Sequence, residues 1–325
     1  MLDHYLCTAH AATRLLDPHR DPITPTSVHA GGAPEVLTDY GQAMAWFTTE
    51  RPALLAAIDR AAASGFDTHT WQLAWTLTTF LQRRGHWYDF AVTQHAALEA
   101  ARRLADRSGQ AHAHRVLAGA YTSLGRLDDA HTHLRYALDL HGELGDHTGQ
   151  AYAHQNLARV LDMQARHREA LGHAVQALDL YRVAGHRPGQ ARVLNAVGWY
   201  HARIGDHQQG LTCCRQALTM QRELGNRLGE ANTWDSLGYA HHNLGHYTEA
   251  INCYQRAIDL FRELGDSYQE AATLTNLGDT HHAAGDPDPA LDAWRLAIAI
   301  FDELGRPDAD EVRAKLNDGG LILAG

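Results

Sequence analysis

Apolar and small residues recur along this chain with the period of a helix, and the pattern itself recurs at a longer period. In 231–244 they fall at Ala231, Trp234, Leu237, Gly238 and His241, the single face of an amphipathic helix. From about 247 to 264 a second face is drawn by Ala250, Ile251, Tyr254, Ala257, Ile258 and Leu264. Gly245 and Gly265 close the two helices, because glycine takes the left-handed cap conformation cheaply. Ala250 and Ala257 let backbones approach, and Gly238 leaves room for a neighbouring ring. The whole pair returns every 40 residues: Ala97, Ala137, Ala177, Ala217, Ala257 and Ala297 share one column. Leu98, Leu138, Leu178, Leu218, Ile258 and Ile298 share the next. Gly85, Gly125, Gly205, Gly245 and Gly285 form a third, with Ala165 as its exception. A period of this size marks a stacked repeat architecture.

The predicted fold is all-α, a solenoid of antiparallel helix pairs with 40-residue repeats. Six units span 69–306, at 69–108, 109–148, 149–188, 189–228, 229–268 and 269–306. The first is degenerate, with Trp71 and Trp75 in place of smaller residues. Ahead of it, 39–68 reads as a helical hairpin, with Asp39 capping one helix and Pro52 in the first turn of the next. Residues 1–38 read as an amphipathic leading helix, 1–16, followed by a Pro- and Gly-rich connection. Residues 307–325 read as a short capping helix, acidic at its start with Lys315 near its end, followed by a tail from Gly319.

The unit Trp234-x2-Leu237-Gly238-x2-His241, followed by Ala250-x3-Tyr254 and Ala257, resembles the tetratricopeptide repeat (TPR). His241 replaces the usual Tyr, and Arg262 stands where the family's Pro ends the second helix, so that helix runs on. The resemblance implies a right-handed superhelix whose first helices line an inner groove. A second resemblance lies in HYLCTAHAATRLLDP at 4–18, AMAWFTTERPALLAAI at 43–58 and the LG(D/N)xxGEA signature at 224–231. These are similar to the TPR region of actinobacterial antibiotic regulatory proteins, members of the signal-transduction ATPases with numerous domains. That resemblance implies a transcriptional regulator of secondary metabolism, in which a DNA-binding region and a nucleotide-binding switch precede the array. This chain carries only the array, and its leading helix is expected to have packed on such a preceding domain.

A formal charge of −10 argues against a general nucleic-acid binder. No apolar run is long enough for a membrane span, and the start lacks the pattern of a signal peptide. Cys7, Cys213, Cys214 and Cys253 have no metal-ligand spacing, which suits a reduced, cytoplasmic setting. Lys315 is the only lysine, so no Gly-x4-Gly-Lys phosphate loop exists in these 325 residues. Hydrolase and zinc-protease motifs are absent too, and the reading is a non-enzyme with no cofactor and no metal. The 24 histidines do not alter this. His112/His114 and His131/His133 are i, i+2 pairs, which do not face each other on a helix. His201, His241 and His281 replace a core Tyr and read as packing residues with a ring nitrogen satisfied.

The TPR resemblance implies that repeat positions 2, 5, 9, 12 and 13 face the groove. The candidate partner-binding residues are Arg115, Tyr152, Gln155, Arg159, Arg192, Asn195, Trp199 and Arg203, then Asn232, Asp235, Tyr239, His242, Asn243, Asp279 and His282. Aromatic and Arg side chains supply most binding hot spots. The arginines form a mid-groove positive zone, flanked by Asp235 and Asp279, suited to an acidic peptide or protein segment forked by Arg159 and Arg192. The competing reading is a solvated face of internal Arg–Asp pairs. Two roles follow: the sensor of a regulator, acting on a nucleotide-binding domain of the same polypeptide, or a stand-alone scaffold or signalling-peptide receptor.

Overall fold

The computed structural model describes all residues except 18–22, 24, 26–34 and 324–325, with backbone alone for 318–323. Most of the connection at 17–38 therefore lies outside the described residues. The described residues form helices and no strand. In order these are α1 (Leu2–Leu16), α2 (Tyr40–Ala63), α3 (Asp67–Arg83), α4 (Trp87–Arg103), α5 (Arg107–Ser123), α6 (Leu127–Glu143) and α7 (His147–Met163). Then follow α8 (His167–Val183), α9 (Arg187–Arg203), α10 (His207–Glu223), α11 (Arg227–Asn243), α12 (Tyr247–Leu264), α13 (Ser267–Ala284), α14 (Pro287–Glu303) and α15 (Asp308–Leu323). Two compact units, Met1–Val160 and Leu161–Gly325, divide the chain within α7. Each is a stack of helix pairs in which a helix packs on its predecessor and its successor.

The corners explain the glycine columns. At the end of α11, Gly245 adopts φ 74°. Its N–H donates to the His242 carbonyl, and the His246 N–H donates to that of His241 at 3.0 Å. This pair satisfies carbonyls the helix end leaves open. Ala165, the exception in the column, takes the same conformation with φ 58°, as does Ala105 with φ 51°. The Ala165 N–H bonds the Asp162 carbonyl at 2.8 Å, so the corner overrides the Cβ penalty. The acidic residue of the LGD signature has a separate task. Asp106 and Asp146 accept the N–H of Gly109 and Gly149 at 2.9 and 2.8 Å, capping α5 and α7.

Between corners, small residues set the helix spacing. Ala137, Ala177, Ala217, Ala257 and Ala297 are fully buried. A Cβ on Gly238 would lie 2.7 Å from the Tyr254 ring, and one on Gly278 2.5 Å from the Trp294 ring. At Gly198 it would meet Cys214 Sγ at 2.4 Å and the backbone oxygen of Gly210 at 2.9 Å, so α9 and α10 cross in near-backbone contact.

Three expectations change at the ends. The hairpin predicted at 39–68 is a single helix, α2, with Pro52 inside it. Pro52 forgoes one helical hydrogen bond, and burial of Phe47, Leu54 and Ile58 on either side of it holds the helix together. The leading helix packs on α2 and α3 of its own unit: Leu6, Ala9, Ala12 and Leu16 are buried. Thr13 Oγ1 donates to the Thr76 carbonyl at 2.7 Å, and His69 Nε2 meets Asp3 Oδ1 at 2.8 Å. Its apolar face is thus used within the chain. At the other end α15 continues to Leu323, through the segment predicted as a tail.

Two substitutions test this account of the corners and crossings. Ala165→Gly relieves a left-handed alanine and is expected to stabilise by about 1 kcal/mol. Gly198→Ala drives a methyl into backbone and is expected to cost about 1–3 kcal/mol. Urea unfolding midpoints of the two variants should move in opposite directions.

Candidate partner-binding surface

In the unit Leu161–Gly325, several predicted residues stand together. Trp199 on α9 and Tyr239 on α11 pack ring against ring, with centroids 4.8 Å apart. The Arg203 guanidinium lies over both, 5.6 Å from the Trp199 centroid and 6.0 Å from that of Tyr239. One cation shared by two aromatic faces is an attractive arrangement. Beside them is a cleft of about 300 Å³ lined by Arg192, Asn195, Trp199, Asn232, Asp235 and Ser236, with Gln221 and Gly229. Arg192 is exposed, and its Nη2 reaches the Tyr181 hydroxyl at 3.4 Å.

The polar groups of this cleft are unevenly matched. Asp235 Oδ1 accepts from Thr273 Oγ1 at 3.2 Å. Its carboxylate sits deep, although the residue keeps some exposed surface, and burial pushes its pKa up to about 6 against the pull of Thr273 and Asn276. Asn195 Oδ1 is buried with no hydrogen-bond partner. Further along, His242 Nδ1 bonds Thr280 Oγ1 at 3.0 Å, and burial lowers its pKa. Asn243 turns its amide back to the Tyr239 carbonyl at 2.8 Å.

Asp279 departs from expectation. It was expected as a negative flank available to a partner, but it is neutralised from within. Trp294 Nε1 donates to its Oδ1 at 3.0 Å, and Lys315 of α15 donates to its Oδ2 at 2.5 Å. The capping helix therefore supplies the one lysine to the last inner-face carboxylate. His282 is exposed and faces the Trp294 ring at 5.6 Å.

In the unit Met1–Val160, the Arg115 guanidinium lies 5.3 Å from the Tyr152 centroid, and its Nη2 reaches His112 Nδ1 at 3.3 Å. Arg115 and Arg159 line one cleft of about 340 Å³ with Trp75, Gln82, Gly119 and Asn156. A second cleft of about 290 Å³ shares Trp75, His112 and Arg115 and adds Trp71 and Gln94. Gln155 is half-buried on the same helix as Arg159. Trp71 and Trp75, bulky residues in an otherwise small-residue register of the degenerate repeat, wall these clefts, and that bulk is the sequence signal that marks them. Arg159 and Arg192 belong to different units.

The histidines also group in a way the i, i+2 argument misses. His114 Nδ1 lies 2.8 Å from His133 Nδ1, and His95 Nε2 lies 2.7 Å from the Tyr121 hydroxyl beside them. Burial and the neighbouring His133 lower the His114 pKa to about 4. The contact joins α5 to α6 across 19 residues, the offset that also brings Cys214 to the Asn195 carbonyl. Of the packing histidines, His201 and His281 turn Nδ1 towards a carboxylate, 3.4 Å from Asp206 Oδ2 and 3.8 Å from Asp286 Oδ2, whereas Nδ1 of His241 is buried without a hydrogen bond. Among the described residues no three His, Cys, Asp or Glu side chains form a group able to hold a metal.

A family model of the tetratricopeptide repeat matches residues 189–263 and 229–303. Residues 189–303 are tetratricopeptide repeats. No curated protein matches the chain in sequence. Among solved structures, the fold is shared with the apo form of RapI, at TM-score 0.65 and 13% identity over 80% of this chain and 96% of that one. It is shared with a Rap protein complexed with Competence and Sporulation Factor, at TM-score 0.58 and 16% identity over 79% of this chain and 76% of that one. A signal transduction ATPase with numerous domains and a TPR sensor, from Pyrococcus horikoshii, matches at TM-score 0.56 and 15% identity. That match covers 97% of this chain and 62% of the other. At such identities the likeness establishes the TPR fold alone.

Asp235 and His114 bias stability in opposite directions with pH. Native Asp235 holds its proton up to about pH 6, whereas the unfolded chain releases it near 3.8, so stability falls as pH rises through that window. Native His114 stays neutral down to about pH 4, whereas the unfolded chain takes up a proton near 6.5, so stability falls as pH drops from 6.5 to 4. Asp235→Asn is expected to be more stable than the parent above pH 6, with the advantage shrinking towards pH 4. His114→Phe is expected to gain on the parent as pH falls through its window. Urea midpoints measured across both ranges check both; an Asp235→Asn curve parallel to the parent's contradicts the first.

Proposed function

We propose that this chain is a TPR module that binds a protein or peptide segment on the faces of its first helices, without catalysis of its own. The observation that carries the reading is the cluster Trp199–Tyr239–Arg203 beside a polar cleft. Large aromatic and guanidinium groups gathered on a face that the repeat does not need for packing are the composition of a binding hot spot. Among the described residues no helix is long and apolar enough to cross a membrane.

The finer role proposed is the sensor region of a bacterial transcriptional regulator of secondary metabolism, acting on a nucleotide-binding domain of the same polypeptide and making no direct nucleic-acid contact. The resemblance of 4–18 and 43–58 to actinobacterial regulators supports it, as does the likeness to an ATPase with a TPR sensor. The likeness to a Rap protein complexed with Competence and Sporulation Factor favours a second reading, a stand-alone peptide receptor.

Replacing Arg159, Arg192 and Trp199 together by Ala is expected to abolish capture of the cellular partner, while circular dichroism and the urea midpoint stay near the parent's. Truncation of each true hot spot costs about 2 kcal/mol or more, roughly 30-fold in affinity. Unchanged capture by the triple variant removes the groove assignment. An immunoblot of the source cells separates the two roles. A native polypeptide far above 35.9 kDa supports the regulator, and one at 35.9 kDa the receptor.

A further inference from the structure

We infer that the cleft between α9 and α11 is a recognition pocket for a primary ammonium group, held by Asp235 and Asn195 against the wall of Trp199. The inference rests on the groove reading above and adds the chemistry of the group recognised. The residues come from adjacent first helices and line one space of about 300 Å³, the size of a single amino-acid side chain or chain end rather than of a folded domain.

The floor of this cleft is rich in acceptors. Asn195 lines the cleft, and its Oδ1, closed to water until the amide turns about χ2 towards the cleft, receives no hydrogen bond. A buried acceptor left open is costly and is rare in a native fold. Asp235 is satisfied only by neutral donors, the Thr273 hydroxyl and Asn276. Among the described residues no cation pairs with Asp235. The contrast with Asp279, one repeat further along, is informative: there Lys315 supplies an ammonium at 2.5 Å and Trp294 an indole N–H at 3.0 Å. The chain itself thus shows an ammonium beside an indole ring completing an inner-face carboxylate. In the cleft Asp235 has no cation of the chain among the described residues, and the Trp199 ring that walls it carries the Arg203 guanidinium on its face.

The charged and titratable groups around Asp235 agree with this. Arg192 is on α9 at the exposed mouth, with its guanidinium towards the Tyr181 hydroxyl. Tyr254 on α12 is neutral, its phenol pushed up by burial and by Asp235. From α13 come only Thr273 and Asn276. An ammonium has three donors for the floor, and a carbonyl next to it in a peptide suits Arg192 at the mouth. Two sources share this chemistry, a free amino terminus and a lysine side chain.

The test uses small probes and the full chain. The indole N–H resonance of Trp199, assigned with Trp199→Phe, is followed during titration with alanine methylamide, Nα-acetyl-lysine methylamide, Nα-acetyl-glutamine methylamide and Nα-acetyl-glutamate methylamide at millimolar concentrations. At least one ammonium probe is expected to move the resonance saturably, with both neutral and acidic probes at least threefold less effective. Asp235→Asn, which is near-isosteric and expected to fold at least as well as the parent, should weaken the response tenfold or more. Response to alanine methylamide alone assigns a free amino terminus, and response to the lysine probe alone assigns a side chain. No response to any probe, an equal response to the glutamine probe, or an unchanged response in Asp235→Asn overturns the pocket. Loss of partner capture in the Ala triple variant together with silent probes leaves the groove reading standing without this pocket. Responsive probes with unchanged capture do the reverse.

Discussion

The close approach of helix backbones at alanine and glycine columns is the constraint on which the rest of this protein depends. Where Gly198 faces the backbone of Gly210, there is no room for a methyl group. The same exclusion, relaxed to an aromatic ring, is seen at Gly238 and Gly278. Once helices lie this close, the corner between them must reverse in few residues, and a left-handed position does so. Ala105 and Ala165 show the order of priority, since both accept positive φ rather than change the corner. Stability in such an array is a sum over neighbouring contacts, so a corner that held a different angle would misplace every later helix of its unit.

This constraint also separates structure from function. Second helices and the buried sides of first helices are occupied by packing. What is left is the open face of the first helices, with positions that carry no packing duty. Residues there are tied to buried threonines of the next repeat at nearly the repeat spacing, Asp235 to Thr273 and His242 to Thr280, each 38 residues apart. The ion pairs Arg187–Glu223 and Arg227–Glu263, each 36 apart, repeat likewise but are exposed and contribute little individually.

What was legible in the sequence is what the repeat states several times over. The columns gave the helix pairs, the left-handed corners and the room that Gly238 leaves for Tyr254. The TPR resemblance, laid on that register, implied inner-face places for residues 199, 203 and 239, and the three side chains meet. What was not legible depends on contacts outside the register. Lys315 reaches Asp279 from a terminal helix that copies the repeat only loosely. His114 finds His133 in the adjoining helix, outside the spacing that relates neighbours on one helix. Pro52 was read as a helix start by local rule, and burial on both sides of it outweighed that rule.

The most informative residues are those where a local rule stays unmet. An array that satisfies its corners, caps and terminal carboxylate leaves Asn195 Oδ1 without a donor and Asp235 without a cation, side by side on adjacent helices. Burial raises the pKa of Asp235, so keeping it ionised at neutral pH costs the native state stability. A chain folding for stability alone has simple remedies there, since asparagine at 235 would remove the charge and an apolar residue at 195 would remove the open acceptor. Groups that weaken a fold yet line a cleft are the usual mark of a site whose satisfaction comes from elsewhere. By that argument, the repeat pair 189–268 holds a site left open by the chain, whereas the carboxylate of Asp279 is closed by Lys315.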